Sequence, residues 1–406
     1  MELYAFQKQS IQALINGKHI CVQEVGSGKS AVMMRWLAHT VNKTHIKRVM
    51  VVTTPSKKHS GDFLNDADTW NGTSWRGGLD KFEIVSWHML DKWTSAHRNE
   101  LNKWVYAFDE VQKAKAGVSS GMGKAFLKIT LNSSLWAGFT ATPGDNWLHF
   151  YPYFTACGYV RTKTEFKHRF AIEQNYKGFP EITGWHHEDT LRKWWNELAT
   201  TPDTSQMFRE LPAQTHKVIE FKKPVGYDKL RKTRIGKDGE FIDSTMGLCH
   251  ALRAMSFTKE KQQWVEDFIA GLGTGCVVFY NYIEEGNTLC EIIKRANKEA
   301  KVWRIDGKNH EIPTADTIGQ YDVVLCQWQS GSEALNLQFL NYWLSVTPTY
   351  SYITSTQARG RIHRLGQTRP TYYYYLKCDG IETDVYKALK NKRDFSEENW
   401  INEGGQ

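Results

Sequence analysis

The sequence predicts an α/β protein with two lobes, each built on a parallel β-sheet flanked by helices, and with a helical bridge between the lobes. Short apolar runs alternate with helix-length segments in two separate series, which is typical of parallel sheets with crossover helices. A segment rich in Trp and His, with helical patterning, separates the two series. The length of 406 residues allows two or three domains.

The first series occupies residues 1–150 and predicts one lobe. Its strand candidates are residues 19–25, 48–53, 82–86, 104–108 and 135–140, and a helix is predicted over residues 31–41. Residues 151–210 are interpreted as a helical extension and linker, with helices over residues 165–175 and 188–198.

The second series predicts another lobe over residues 211–395. It begins after Leu211-Pro212, and its strand candidates are residues 217–221, 276–280, 302–305, 321–326, 342–346 and 371–376. The two series share this alternation but no obvious sequence repeat. Residues 396–406 are predicted to form a loosely ordered C-terminal tail.

Composition and charge exclude several classes of protein. Hydrophobic residues make up 41% and charged residues 24% of the chain, which excludes a disordered chain, a collagen-like fibre and a coiled coil. The net charge of +8 permits a polyanionic partner without proving one. The seven cysteines are scattered without a CxxC pair, which argues against a zinc finger and a disulfide framework. No apolar run reaches the roughly 18 residues of a membrane span, and no signal-peptide pattern is present, so we expect a protein of the reducing cytoplasm, away from membranes. We also expect it to be a monomer.

A glycine-rich segment follows the first predicted strand and opens a helix. It reads Gly26-Ser27-Gly28-Lys29-Ser30. In this context backbone N–H groups can approach phosphate oxygens, Lys29 can bridge the β- and γ-phosphates, and the Ser30 hydroxyl can bind Mg²⁺. The full phosphate-loop pattern has a glycine where this chain has Gln23, so a chance glycine turn is the alternative.

Two acids end the strand at residues 104–108. Asp109 would hold Mg²⁺ through water, and Glu110 would orient and deprotonate the attacking water. A solvated acidic turn would be the better interpretation of these two residues alone, but the phosphate loop upstream reverses that preference. Residues 138–143 close the next strand, and their hydroxyls could sense the γ-phosphate or belong to an ordinary strand-to-turn transition.

A basic segment, residues 357–364 (QARGRIHR), is the most specific feature of the second half. Arg361 and Arg364 are three residues apart, so on a predicted helix they face the same side. Two arginines aimed at one point suit a triphosphate, where they stabilise the charge of the transition state. The alternative is a basic, solvent-exposed helix.

These motifs, in this order, resemble those of superfamily 2 helicases, and more closely the Snf2 family of DNA translocases, over nearly the whole chain. Residues 3–11 are similar to the Q-motif, 24–30 to motif I, 52–56 to motif Ia, 84–87 to motif Ib, 109–112 to motif II, and 138–143 to motif III. Gln112 replaces the usual histidine of motif II. Residues 330–337 are similar to motif V, and residues 357–367, with their RxGQ ending, to motif VI.

The resemblance implies two RecA-like lobes that bind ATP and Mg²⁺ between them. It implies a catalytic set consisting of Lys29, Asp109, Glu110, Gln357, Arg361 and Arg364. It also implies nucleotide contacts by Gln7, which would read the adenine, and by Gly26, Ser27, Gly28, Lys29, Ser30, Gly331 and Glu333. Ser30 and Asp109 would hold the metal.

The resemblance further implies that DNA is bound mainly through its phosphates, by Thr54, Pro55, Ser56, Lys57, Ser86, Trp87 and Ser330. Such contacts carry little sequence information. The expected function is an ATP-dependent DNA translocase, with a finer similarity, through Gly184 and residues 191–198, to proteins that remodel forked DNA. A strand-separating helicase on DNA or RNA and a non-catalytic DNA-binding scaffold remain alternatives. The compact length is common in phage-encoded enzymes, which would place the protein in a host cytoplasm.

A basic stretch early in the second lobe is a further candidate for phosphate contacts. It spans residues 222–237 and contains seven lysines and arginines, Lys222, Lys223, Lys229, Arg231, Lys232, Arg234 and Lys237. A solvated helix or loop face explains the same pattern equally well.

Overall fold

The computed structural model describes residues 2–176, 179–236, 239–309, 311–331, 335–391 and 394–396. The chain divides into two compact units, Met1–Arg209 and Glu210–Gln406. Each unit contains a six-stranded, wholly parallel sheet with helices around it, which confirms the predicted α/β class. No helix within the described ranges is long and apolar enough to cross a membrane.

Unit 1 is built on six strands. They are β1 (Ile20–Val22), β2 (Arg48–Thr53), β3 (Lys81–Ser86), β4 (Val105–Asp109), β5 (Trp136–Thr140) and β8 (Ala199–Thr200), in the spatial order β3-β2-β4-β5-β1-β8. Its helices are α1 (Ala5–Ile15), α2 (Lys29–Thr44), α3 (Pro55–Ser60), α4 (Asp62–Asn71), α5 (Thr73–Gly77), α6 (Leu90–Ala96), α7 (Gly121–Thr130), α8 (Tyr151–Ala156), α9 (Lys163–Phe170), α10 (Glu188–Leu198) and α11 (Ser205–Glu210). The five strands predicted for the first lobe are confirmed.

Both faces of this sheet are buried. Met50 and Val52 of β2 lie in one apolar cluster with Phe108, whereas Val49 and Val51 lie in the cluster on the other face. A strand covered on both faces needs apolar residues at every position, because successive side chains point to opposite faces. This explains why β2 and β4 were recognisable as continuous apolar runs.

The prediction of a helix over residues 165–175 is wrong in its second half. Helix α9 ends at Phe170, and the chain continues into an antiparallel pair, β6 (Ala171–Tyr176) and β7 (Phe179–Trp185), outside the parallel sheet. The missed signal is a separation of two residues, one of them Gly178, between two strand-compatible runs, which is a hairpin pattern. The helix predicted over residues 188–198 is confirmed as α10, whose Leu191 and Leu198 are buried in the core of unit 1.

Unit 2 repeats the architecture. Its strands are β9 (Gln214–Phe221), β10 (Cys276–Tyr280), β11 (Val302–Ile305), β12 (Val323–Gln327), β13 (Tyr342–Ser345) and β14 (Thr371–Cys378), in the order β11-β12-β10-β13-β14-β9. Its helices are α12 (Tyr227–Thr233), α13 (Thr245–Ser256), α14 (Lys259–Leu272), α15 (Ile283–Ala296), α16 (Trp328–Gly331), α17 (Tyr352–Arg359) and α18 (Ile381–Lys390). All six predicted strands are confirmed. The predicted tail, residues 396–406, lies outside the described residues apart from Ser396.

A buried ion pair connects helices α14 and α18 of unit 2. The Lys261 ammonium donates to both carboxylate oxygens of Glu382, at 3.0 and 2.9 Å, and both side chains are fully buried. Burial raises the pKa of Glu382, while the positive charge of Lys261 opposes that shift. No local pattern indicates this pair, because its partners are 121 residues apart in the chain.

Candidate nucleotide-binding site

The glycine-rich segment forms the turn between β1 and α2. Gly26 and Gly28 have φ angles of 82° and 76°, a left-handed conformation that glycine adopts at no steric cost. Helix α2 begins at Lys29 and continues for 16 residues, so its positive dipole end and free N–H groups lie at this turn. The turn therefore has the geometry that suits an anion at a helix N-terminus.

The Lys29 ammonium lies within this turn. It donates hydrogen bonds to the backbone carbonyls of Gln23 and Glu24, both at 3.0 Å. Burial lowers the pKa of Lys29 to about 8, while the nearby carboxylates of Glu110 and Asp109 favour its charged form. The predicted phosphate-binding lysine and the predicted acid pair thus belong to one electrostatic cluster.

Two glutamines hold the turn in place. Gln23, at the position where the pattern has glycine, is buried; its amide donates to the Ser10 hydroxyl at 2.9 Å and accepts from the Ser27 hydroxyl at 3.2 Å. Gln7 is also buried and donates to the Ser27 carbonyl at 2.9 Å, while its oxygen accepts from the Tyr4 N–H. Gln23 is not among the residues with positive φ, so no glycine is required there. The amide of Gln7 supports the turn, and its predicted contact with adenine stays a prediction.

The acid pair follows β4 at the carboxyl edge of the same sheet. Asp109 is almost fully buried, and its Oδ2 accepts from the Thr53 hydroxyl at 2.7 Å and from the Lys57 ammonium at 2.8 Å. Glu110 has φ 52° and ψ 49°, a left-handed conformation that costs a non-glycine residue about 1 kcal/mol or more. The Gln112 amide donates to Glu110 Oε2 at 2.6 Å. Such backbone strain in a buried acid is typical of functional sites.

Three buried polar atoms near this edge have no hydrogen-bond partner within the part of the chain that is described. They are the hydroxyls of Thr54 and Thr142 and the side-chain oxygen of Gln112. They follow β2, β5 and β4, whose carboxyl ends meet at one edge because the strands are parallel. Buried polar atoms are usually satisfied, so this grouping is what a site for a polar ligand or for ordered water requires.

The residues predicted to contact nucleic acid divide into two groups. Thr54, Ser86 and Trp87 are buried, and Trp87 packs on Phe108 with ring centroids 5.6 Å apart. The Trp87 indole also donates to the Asp109 carbonyl at 2.8 Å, so this buried ring supports the backbone of the acid pair. Pro55 is exposed, the Ser56 side chain lies outside the described part, and Lys57 bonds Asp109. Ser330 lies in α16 of unit 2.

The prediction that Arg361 and Arg364 share one face of a helix is wrong. Helix α17 contains Gln357, ends at Arg359 and is followed by Gly360 and turns, so both arginines lie beyond it. Arg361 is buried, and its carbonyl accepts from the Leu337 N–H. The physical reason is Gly360, whose low helix propensity favours a helix end at this point.

Contacts within unit 2 connect the predicted motifs V and VI. The Arg364 guanidinium donates to the Asn336 side-chain oxygen. Gln367, part of the RxGQ ending, donates to the carbonyls of Leu340 and Ile362 and accepts from two backbone N–H groups. It is therefore a structural support of this loop. Gly331 ends α16, and Glu333 lies outside the described residues.

The fold is similar to that of solved structures at low sequence identity. No protein-family model matches the chain. The SWI2/SNF2 ATPase core of Sulfolobus solfataricus, in complex with dsDNA, is similar over 97% of this chain and 91% of that chain, with a TM-score of 0.44 and 14% identical residues. At these values, the function has to be inferred from the site itself.

Proposed function

We propose that this protein hydrolyses ATP with Mg²⁺ and uses the energy to translocate on DNA. One observation carries the proposal: Lys29, at the glycine turn that opens α2, shares an electrostatic cluster with the Asp109-Glu110 pair that ends β4 of the same sheet. A phosphate-binding turn and an acid pair at one edge of a parallel sheet are the two parts that triphosphate hydrolysis needs.

The residues present fit a magnesium ion that is bound chiefly through phosphate and water. Among the residues that the structure describes, no group of three or more His, Cys, Asp and Glu side chains could form an all-protein metal site. Mg²⁺ suits this arrangement, because it keeps several waters and typically takes one or two protein ligands plus substrate phosphates. Ser30 and Asp109 would hold it, and the bound ion would neutralise charge on the phosphates.

The other side chains of the cluster have separate tasks in this proposal. Lys29 binds the phosphates as a point charge, and the glycine turn supplies backbone donors. Glu110 takes a proton from the attacking water, and the 2.6 Å hydrogen bond from Gln112 orients its carboxylate. Gln357, Arg361 and Arg364 of unit 2 are proposed to stabilise charge during hydrolysis, as the sequence predicts.

DNA is the proposed track because two lysines, Lys57 and Lys58, follow β2 on α3. Pro55 and Lys58 are exposed on α3, and the chain carries a net charge of +8. Phosphate contacts of this kind release counterions, so binding should weaken with salt and be insensitive to sequence.

A strand-separating helicase is a second candidate, and the β6–β7 hairpin favours it. This antiparallel pair lies outside both parallel sheets, and Tyr176 is the last residue of β6 to pair, with Phe179 of β7. A short hairpin is a common shape for an element that parts two strands. Unwinding of a tailed duplex, compared with displacement of the third strand of a triplex, separates the two functions.

The ATPase rate with different nucleic acids tests the proposal. It should be measured without nucleic acid and with single-stranded DNA, duplex DNA, forked DNA and RNA, using Glu110→Gln as the matched control. We expect stimulation by DNA, and in the variant retained nucleotide binding with hydrolysis reduced at least about a hundredfold. An ATPase rate that no nucleic acid stimulates would contradict the proposed translocase function. A Glu110→Gln variant that hydrolyses ATP at the wild-type rate would contradict the proposed role of Glu110.

A further inference from the structure

Lys57 bonds the carboxylate that the proposed metal would need. Its ammonium lies 2.8 Å from Asp109 Oδ2, and the two side chains are 20% and 4% exposed. The pairing follows from the sheet, because β2 and β4 are neighbours with Val52 beside Phe108, so that the residues after β2 reach the end of β4. The family resemblance predicts that Lys57 contacts DNA phosphates, whereas here its ammonium bonds Asp109.

The surroundings of this pair contain a balanced set of charges. Lys57 and Lys29 are the cations and Asp109 and Glu110 the anions, and the charge of Lys57 contributes to lowering the pKa of Lys29. The Thr53 hydroxyl donates to the same Asp109 oxygen, and the Phe63 ring lies 5.8 Å from the Lys57 ammonium. A divalent cation that approaches Asp109 therefore meets an ammonium already bound there, and like charges repel strongly in a buried site.

The position of Lys57 also allows its ammonium to bond a phosphate at the protein surface. Lys57 is the third residue of α3, and its side chain is partly exposed next to Lys58, which is exposed. A long, flexible lysine can turn from a buried carboxylate to a phosphate at the surface without moving the helix.

We propose that Lys57 is the resident counter-ion of Asp109, and that its exchange couples Mg²⁺-nucleotide to nucleic acid within unit 1. In this proposal the Lys57 ammonium leaves Asp109 when the cation binds there, and it then bonds a phosphate of the nucleic acid. The coupling is reciprocal by thermodynamic linkage, so nucleic acid that holds Lys57 removes the competitor and strengthens Mg²⁺ binding by the same factor. This inference rests on the proposed function.

The test is the Mg²⁺ dependence of nucleotide binding by the full chain. Binding of a fluorescent ADP analogue is titrated with Mg²⁺, with and without a blunt duplex DNA, for the wild type and for Lys57→Gln. Glutamine keeps a hydrogen bond to Asp109 without the charge, which protects the fold, and thermal unfolding checks this. Lys43→Gln removes the same charge from an exposed lysine in the last turn of α2, at the opposite end of that helix from the glycine turn, and Lys57→Arg keeps the charge.

We expect Lys57→Gln to raise the apparent Mg²⁺ affinity about tenfold without DNA, within the usual range of coupling between sites. DNA should raise the Mg²⁺ affinity of the wild type and of Lys43→Gln, but leave that of Lys57→Gln unchanged. Lys57→Arg should behave like the wild type.

An unchanged or weaker Mg²⁺ affinity in Lys57→Gln would overturn the inference, because Lys57 would then be only a structural partner of Asp109. A DNA effect that persists in Lys57→Gln would overturn the coupling. If the wild type binds no nucleotide at any Mg²⁺ concentration, the proposed function itself fails and the inference fails with it. These outcomes differ, since only the last one abolishes binding in every variant.

Discussion

Placing the pattern's glycine at position 23 should damage the glycine turn between β1 and α2 rather than improve it. Gln23→Gly removes a buried side chain that bonds the hydroxyls of Ser10 and Ser27. Each lost hydrogen bond costs about 1 kcal/mol, and the extra backbone freedom of glycine adds about 0.5–1 kcal/mol. With the cavity that remains, unit 1 should lose roughly 3 kcal/mol of stability.

The assay is thermal unfolding together with nucleotide binding. For a unit of the size of Met1–Arg209, 1 kcal/mol corresponds to about 2–4 °C, so the unfolding transition of unit 1 should fall by roughly 6–12 °C. Nucleotide affinity should fall as well, because the Ser27 hydroxyl loses its bridge through Gln23 to Ser10 of α1 and only the bond from Gln7 to the Ser27 carbonyl remains. Gln23→Ala should show most of the effect, whereas Gln9→Ala, the same change at an exposed position of α1, should show little. A Gln23→Gly variant as stable as the wild type, with tighter nucleotide binding, would refute this reasoning.

Three further predictions follow from the same structure. Burial lowers the pKa of Lys29 from 10.5 to about 8, so nucleotide affinity should fall as the pH rises through about 8. Lys29→Arg should show no such decline. Folding stability should rise with pH between about 8 and 10.5, because in this range the unfolded lysine binds more protons than the folded one. A flat affinity profile between about pH 7 and about pH 9 would contradict the shift. Lys261→Met should lower the free energy of unfolding of unit 2 in urea by about 3–5 kcal/mol, because Glu382 is left buried without its counter-ion. Lys8→Met, at an exposed ion pair, should lower the free energy of unfolding by less than about 1 kcal/mol. Losses of similar size in the two variants would show that burial does not matter. Arg364→Ala should slow hydrolysis about a thousandfold with little change in nucleotide affinity, and Arg364→Lys should restore little; a wild-type rate with saturating DNA would remove Arg364 from catalysis.

The sequence by itself determined the strands and the position of the glycine turn before α2. Strands such as β2 and β10 are covered on both faces, so their apolar runs are continuous and need no knowledge of their neighbours. The glycine turn was recognisable for a similar reason. Gly26 and Gly28 are required by local backbone geometry, and the strand before and helix after them are local patterns too.

Local patterns failed where two structures suit the same residues. The run after Phe170 suits a helix or a strand, and only its pairing with β7 decides between them. The end of α17 before Arg361 was also missed, although Gly360 was visible, because a single glycine does not always end a helix.

Only the tertiary structure decided which side chains work together. Lys57 and Asp109 are 52 residues apart, and they meet because β2 and β4 are neighbours in the sheet. Gln23 is compatible with the glycine turn because Ser10 of α1 accepts a hydrogen bond from its amide. Trp87 is withdrawn from any surface because its indole bonds the backbone of Asp109. Such pairings depend on the order of the strands, and the strand order is set by the packing of the whole unit rather than by any local stretch of sequence.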